Sequence, residues 1–245
     1  MKSIAALAAS QTNSPAANAH AIRLVVLDVG GTIIQDRGDV PLALRKVFSN
    51  HGLTVDSAEI GAWRGASKRD MVRHFVDVQT KSHDVDQAKL SDTIYRDFSA
   101  QLDEAYRAAQ PIEGVEKAFE QMRSAGILLA TTSGFDRELT TSMFQRLNWQ
   151  RFFVASISGQ DVTLGRPAPF MIFHAMEIAR ITNVAEVMAV GDTPLDLQAG
   201  SNAALRGVVG VLTGASNAEA LRKERHTHIL DSVALLPKLL DAEFR

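Results

Sequence analysis

The chain has 245 residues, with 26 Lys and Arg against 28 Asp and Glu for a formal charge of −2, and no Cys. At roughly 100–200 residues per domain, this length predicts one large domain or one domain with an insert. The 46% hydrophobic and 22% charged residues are those of an ordinary globular protein. No run approaches the ~20 apolar residues needed to cross a bilayer, and the near-neutral charge lacks the basic stripe of a nucleic-acid binder. The absence of Cys removes disulfides, thiolate zinc sites and a Cys nucleophile, so catalysis falls to oxygen, nitrogen or an oxygen-held metal.

Residues 1–21 read as a flexible tail. The Ile4–Ala9 apolar stretch is short, and Ser and Gln interrupt what a secretory signal needs, so the protein is expected in the cytoplasm. From Ile22 the folded part begins. Leu24 to Leu27 is a continuous apolar run ending at Asp28 and closed by Gly30 and Gly31, the pattern of a parallel strand buried on both faces. About a hundred residues (Ile33 to Gly126) then precede the next strand. They read as helices over Val40–Asn50, Asp56–Trp63, Ser67–Val78 and Asp84–Ala109, until Pro111 and Gly114 mark a return to the main body. Gly38 to Gln110 is therefore predicted to be a helical cap over the carboxyl edge of the sheet. The core is assigned to residues 22–37 and 111–245.

Beyond the insert, apolar runs recur at Ile127–Ala130, Phe152–Ile157, Val187–Val190 and Val208–Leu212, with a weaker one at His228–Leu230. Helical patterns lie between them at Asp136–Leu147, Pro169–Ile178 and Asp196–Ala203, after Val115–Ala125. This alternation predicts an α/β fold, a doubly wound parallel sheet built from right-handed crossovers.

In such a sheet ligands bind beyond the carboxyl ends of the strands. The first strand ends at Asp28, a carboxylate before a glycine turn, which suits a nucleophile beside an anion site or simply closes the turn. The second runs into Thr131-Thr132-Ser133-Gly134, hydroxyls and amides able to hold phosphate oxygens. Gly165-Arg166-Pro167-Ala168-Pro169 follows the third, a cation in a loop stiffened by two prolines. The fourth ends in Gly191-Asp192-Thr193-Pro194-Leu195-Asp196, where a second carboxylate could share Mg²⁺ with Asp28.

Aspartate, hydroxyl, cation and acidic pair, in this order at successive strand ends, resemble the haloacid dehalogenase superfamily from about Ile22 onward. The resemblance implies that Asp28 is the nucleophile that forms an aspartyl-phosphate. Thr132, Ser133 and Gly134 would grip the phosphoryl group and Arg166 would neutralise its charge. Asp28, Asp192 and the carbonyl of Gly30 would hold Mg²⁺, with Asp196 in support.

Phosphatases of this superfamily carry a general-acid Asp two residues after the nucleophile; here that residue is Gly30. Losing such an acid costs roughly 10²–10⁴-fold in expelling an alkoxide. The phosphonatase branch, which cleaves the P–C bond of phosphonoacetaldehyde, also lacks it. That branch has an Arg in the third motif, as Arg166 here, and a cap Gly-x-x-Lys whose lysine forms a Schiff base, as Gly65-Ala66-Ser67-Lys68 here. Its pattern is departed from at Arg64, Met71 and Phe135, where it has Met, His and Tyr, and by the lack of a Cys after the first motif. His74 or water would then move the protons.

Lys68 can be read on its own. Ser67 and Asp70 look like an N-cap with an acidic third position, so Lys68 would open a helix. Lys68, Val72 and Phe75 share a stripe at i, i+4 and i+7, and an apolar setting at a helix N-terminus favours the neutral amine. A lysine snorkelling to the surface is the alternative.

The reading is a Mg²⁺-dependent phosphonatase-like hydrolase acting on phosphonoacetaldehyde or a related small phosphonate. Two other readings stay open: a phosphatase of phosphoglycolate-like esters, with Lys68 only binding the anion, and a non-catalytic binding module that keeps the fold. Neither a nucleic-acid nor a membrane partner is expected. Trp63, as an exposed apolar residue of the insert, offers a homodimer contact. Trp63 and Trp149 otherwise read as packing, the Arg222–Arg225 charge run as a solvated helix end, and His226 and His228 as strand decoration.

Overall fold

The computed structural model describes residues 21–80 and 86–244; the predicted tail falls almost wholly outside them. Six parallel strands form one sheet: β1 (Leu24–Asp28), β2 (Leu128–Ser133), β3 (Ala155–Ser158), β4 (Val187–Gly191), β5 (Gly207–Val211) and β6 (His228–Leu230). Their order is β3-β2-β1-β4-β5-β6. The chain winds outward from β1 in both directions, so the crevice where the order reverses lies between β1 and β4.

Strand residues alternate faces, and β1 shows why its run must be apolar throughout. Leu24 and Val26 enter one hydrophobic cluster with Met171, Ala175 and Leu197. Val25 and Leu27 enter the other with Phe119, Met122 and Leu240. All four are at most 1% exposed, each burial being worth about 1.5–3 kcal/mol. The helices covering these faces are α5 (Val115–Ser124), α6 (Arg137–Arg146), α7 (Phe170–Ala179), α8 (Pro194–Asn202), α9 (Ala218–Arg222) and α10 (Leu236–Glu243).

Between β1 and α5 lie α1 (Asp39–Asn50), α2 (Ser57–Ala62), α3 (Lys68–Gln79) and α4 (Gln87–Tyr106), so the four helices expected of the insert are present. Asp84, where the last was expected to begin, is outside the described residues; Asp86 caps α4 instead, its carboxylate accepting from the Lys89 amide. The two connections run side by side: Gln35 N–H donates to Gln110 O at 2.9 Å and Ile112 N–H to Ile33 O at 2.9 Å. Inside the insert, Phe48, Met71, Val72, Phe75, Ile94, Phe98 and Tyr106 extend the same apolar cluster that covers one face of the sheet.

Trp63 is half-exposed and stacks on His74 at 4.6 Å, packing toward Phe75, in keeping with its reading as a packing residue. One expectation for the insert is corrected. His74 is itself exposed and does not line the cavity below, so it is not placed to shuttle protons there. Trp149 is fully buried between Phe119 and Phe144, its indole N–H donating to Glu116 Oε1 at 2.6 Å. No described helix is long and apolar enough to cross a membrane.

Candidate active site

The carboxyl ends of β1, β2 and β4 deliver polar residues to one cavity of about 60 Å³, lined by Asp28, Gly30, Ser133, Gly134, Arg166 and Asp192, with Lys68 above them from the insert. Asp28, Asp192 and Asp196 are all buried, and their nearest carboxylate oxygens lie within 4.8 Å of one another. The buried Arg166 guanidinium holds this cluster together. Nη1 is 2.8 Å from Asp28 Oδ1 and Nε is 2.9 Å from Asp196 Oδ1. Nη2 donates to the carbonyl and hydroxyl oxygens of Thr132 at 2.9 and 2.8 Å. Burial works against the Arg166 charge, but the carboxylates of Asp196 and Asp28 outweigh it and raise its pKa.

Thr132 is thereby corrected. Its hydroxyl is taken by Arg166 and it does not line the cavity, because adjacent strand residues point to opposite sides and Ser133 has the inward position. Ser133 Oγ accepts from the Phe135 amide at 3.0 Å, leaving its own proton for a ligand oxygen.

Asp192 and Asp196 are held differently. Asp192 accepts from the Ala215 amide at 2.6 Å and from Thr32 Oγ1 at 3.3 Å. Burial and the charges of Asp28 and Asp196 push its carboxyl well above the usual range. Asp196 caps its own helix through the amide and hydroxyl of Thr193, at 3.0 and 2.6 Å. Burial raises its pKa to about 6 against the pull of Arg166. Three buried carboxylates thus crowd together beside a single guanidinium. A hard divalent cation such as Mg²⁺ fits that donor set. Asp28, Asp192 and the carbonyl of Gly30 would hold it, while Asp196 is committed to Arg166 and Thr193.

Lys68 sits where the insert meets the core. Ser67 caps α3, its hydroxyl accepting from the Asp70 amide at 3.3 Å, so Lys68 is the first helical residue as expected. Its backbone amide donates to Gly134 O at 3.1 Å. The ammonium donates to Ala66 O at 3.1 Å and lies 5.4 Å from the centre of the Phe135 ring. At 7% exposure it is not a snorkelling surface residue. Burial lowers its pKa from 10.5 to about 8, the charge of Asp28 opposing the shift and that of Arg166 adding to it.

Two glycines allow this approach. A Cβ at Gly134 would strike the carbonyl oxygen of Ala66, and one at Gly65 (φ +83°) would strike Thr193 Oγ1. Residues that sequence reasoning passed over also face the cavity: Asp36, Arg64 and Tyr106. The loop after β5, with the Ala215 amide that holds Asp192, was legible only as one more strand end. Arg64 was visible only as a departure from a motif.

A parallel doubly wound sheet with a buried aspartate at its switch point and a helical insert over it defines a hydrolase of the haloacid dehalogenase type. The family model described as haloacid dehalogenase-like hydrolase matches residues 25–211, and the chain belongs to that family. Among curated proteins it is similar to the phosphonoacetaldehyde hydrolase of Bacteroides fragilis, 27% identical with 91% of this chain and 88% of the relative covered. The phosphonoacetaldehyde hydrolase of Lactiplantibacillus plantarum is 28% identical, with 90% and 96% covered. Among solved structures, a phosphonoacetaldehyde hydrolase-like protein from Oleispira antarctica superposes with a TM-score of 0.79 at 18% identity, covering 95% of this chain and 96% of that one. A predicted phosphoglycolate phosphatase from Haemophilus somnus gives 0.75 at 18%, covering 89% and 97%. At those identities the two structures share the fold.

Proposed function

We propose that this hydrolase is phosphonatase-like, acting on phosphonoacetaldehyde or a related small phosphonate, with residues 38–110 as a cap over the core. The observation that carries the reading is Lys68, a buried amine in the same cavity as Asp28, with a pKa lowered to about 8. The likeness to curated phosphonoacetaldehyde hydrolases supports it.

The neutral Lys68 amine adds to the aldehyde carbon and water leaves, giving a protonated imine. An Asp28 oxygen then attacks phosphorus. The P–C bond breaks, and its electron pair forms a C=C bond while the imine nitrogen takes the displaced pair, so the carbon fragment departs as an enamine. Water hydrolyses the aspartyl-phosphate to phosphate and free Asp28. The enamine is protonated at carbon and hydrolysed to acetaldehyde and Lys68. No acid is needed at Gly30, since no alkoxide is expelled. Arg166 and Ser133 orient the phosphoryl oxygens, and Arg166 pairs with Asp28 at 2.8 Å. Mg²⁺, when bound, would supply Lewis-acid neutralisation of charge between Asp28 and the phosphoryl group.

A second reading has one observation in its favour. With a pKa of about 8 most of Lys68 is still ammonium at pH 7, which suits an anion contact in a phosphoglycolate-like phosphatase. Gly30 counts against it, because such an ester needs its leaving oxygen protonated. Borohydride reduction with phosphonoacetaldehyde decides between them: the phosphonatase reading expects an ethyl adduct on Lys68 after loss of phosphate. Phosphate release without any adduct overturns it.

A further inference from the structure

Arg64 reaches into the cavity from the insert with most of its donors free. It lines the same space as Lys68 and Arg166. Only its Nη1 is engaged, by Asp36 Oδ2 and by Ala215 O, each at 3.4 Å. Charge-assisted bonds of full strength are about 2.7–2.9 Å, so both are loose. Nε and Nη2 have no hydrogen-bond partner among the described residues, although a guanidinium has five N–H groups in a rigid fork. The contrast is with Arg166, whose three nitrogens are taken by Asp28, Asp196, Thr132 and Gly65 O.

The backbone that carries Arg64 is fixed. Gly65 lies flush on Thr193 and the carbonyl of Ala66 on Gly134, so the loop rests on the core without space for side chains between. Trp63, on its other side, is packed against His74. A side chain on such a loop presents its charge from a set direction. The rest of the lining on this side is apolar or neutral, with Val40, Pro41, Ile60 and Tyr106. Asp36 is the acidic side chain that pairs with Arg64. Its Oδ1 is already occupied by the Gly38 amide at 2.8 Å, and Oδ2 holds Arg64 only at 3.4 Å.

We propose that Arg64 is a specificity-determining residue that selects substrates whose carbon chain bears a carboxylate at the end away from phosphorus. The planar fork pairs a carboxylate through two parallel N–H bonds, and the cavity holds a ligand of only a few carbons, so both ends are read at once. For the imine chemistry above, the substrate class becomes a 2-oxo acid with phosphorus on C3. Its carbonyl carbon meets Lys68 as an aldehyde carbon would, and the products are phosphate and pyruvate. The inference rests on the cavity's being the phosphoryl site, but not on the imine step.

The test is equilibrium binding by calorimetry with Mg²⁺ present, using two inert ligands of similar size, phosphonoacetate and ethylphosphonate. The parent is expected to bind phosphonoacetate about tenfold more tightly, competition from Asp36 limiting the preference. In Arg64→Gln the ratio should fall to about one with ethylphosphonate affinity unchanged, and Arg64→Lys should keep part of it. Equal binding of the two ligands by the parent, or a ratio that survives in Arg64→Gln, overturns the role of Arg64. So does an equal loss of both affinities, which would make Arg64 a strap between insert and core. Failure of both ligands to bind the parent overturns the phosphoryl-site reading, and this inference with it. The borohydride result bears on Lys68 alone.

Discussion

Imine formation at Lys68 should rise with pH through about 8. The amine must be neutral to attack, and burial lowers its pKa from 10.5 to about 8. At pH 7 about one-tenth of it is then neutral, against about one part in 3000 for an exposed lysine, a gain of about 300-fold in competent nucleophile. The burial that gives this gain comes from the Ser67 cap and from Phe135, which hold the amine against the core. The assay is the initial rate of borohydride trapping with phosphonoacetaldehyde from about pH 6 to pH 9.5, read by the mass of the Lys68 peptide, beside phosphate release. The rate should climb about tenfold per unit at the acid end and level off above pH 8. If Lys68 worked as an ammonium anchor the profile would have the opposite sign, falling as pH passes 8. A trapping rate that still climbs about tenfold per unit at pH 9, as for a lysine at the ordinary 10.5, would refute the electrostatic argument even if the adduct formed.

Other outcomes follow from the same contacts. Because the Lys68 pKa is lower folded than unfolded, its protonation opposes folding: the penalty is fully present below pH 8 and disappears as pH rises through 10.5. Lys68→Met should therefore raise stability at pH 7 by up to about 3 kcal/mol, with the difference narrowing toward pH 10 in urea melts. Mg²⁺ should raise the parent's Tm by mass action, about 2.7 kcal/mol at a hundred times Kd, and Asp192→Asn should abolish that shift in a thermal melt. Asp28→Asn should reduce phosphate release by at least about 10³-fold, measured on the same phosphonate. Trp149→Ala should cost about 3–5 kcal/mol in denaturant melts, since the indole is fully buried and its N–H bond to Glu116 is lost.

How far the sequence could be read depended on the physics of each segment. A strand buried on both faces must be apolar along its length, so β1, β4 and β5 were legible to within a residue or two. β2 runs three residues past the apolar stretch ending at Ala130, through Thr131, Thr132 and Ser133. Those hydroxyls are buried, and that of Thr131 donates to Ser156 Oγ at 2.9 Å, so hydropathy alone hid them. β3 starts late because Phe152 and Phe153 pack on Phe119 instead of joining the strand. α10 escaped notice because Pro237 suggests a break, yet a proline in the first turn of a helix is well tolerated. In the site, the carboxylates, Arg166 and Lys68 have chemical signatures at strand and helix ends. The carbonyls of Gly65 and Ala66 and the Ala215 amide have none, since backbone groups act through placement and not through identity.

The paired connections at Gln35–Gln110 and Ile33–Ile112 give the molecule a division of labour. The insert is joined along one edge, like a door on a single hinge, and the loop carrying Arg64, Gly65 and Lys68 rests against the core at another. On the proposed function, the groups that handle phosphorus belong to the frame and those that meet the carbon end of a ligand belong to the door. A change of substrate can then come from rewriting a few positions in one loop while the frame stays as it is. One sheet edge can in this way serve a family of enzymes that share a first step and part company over what they release.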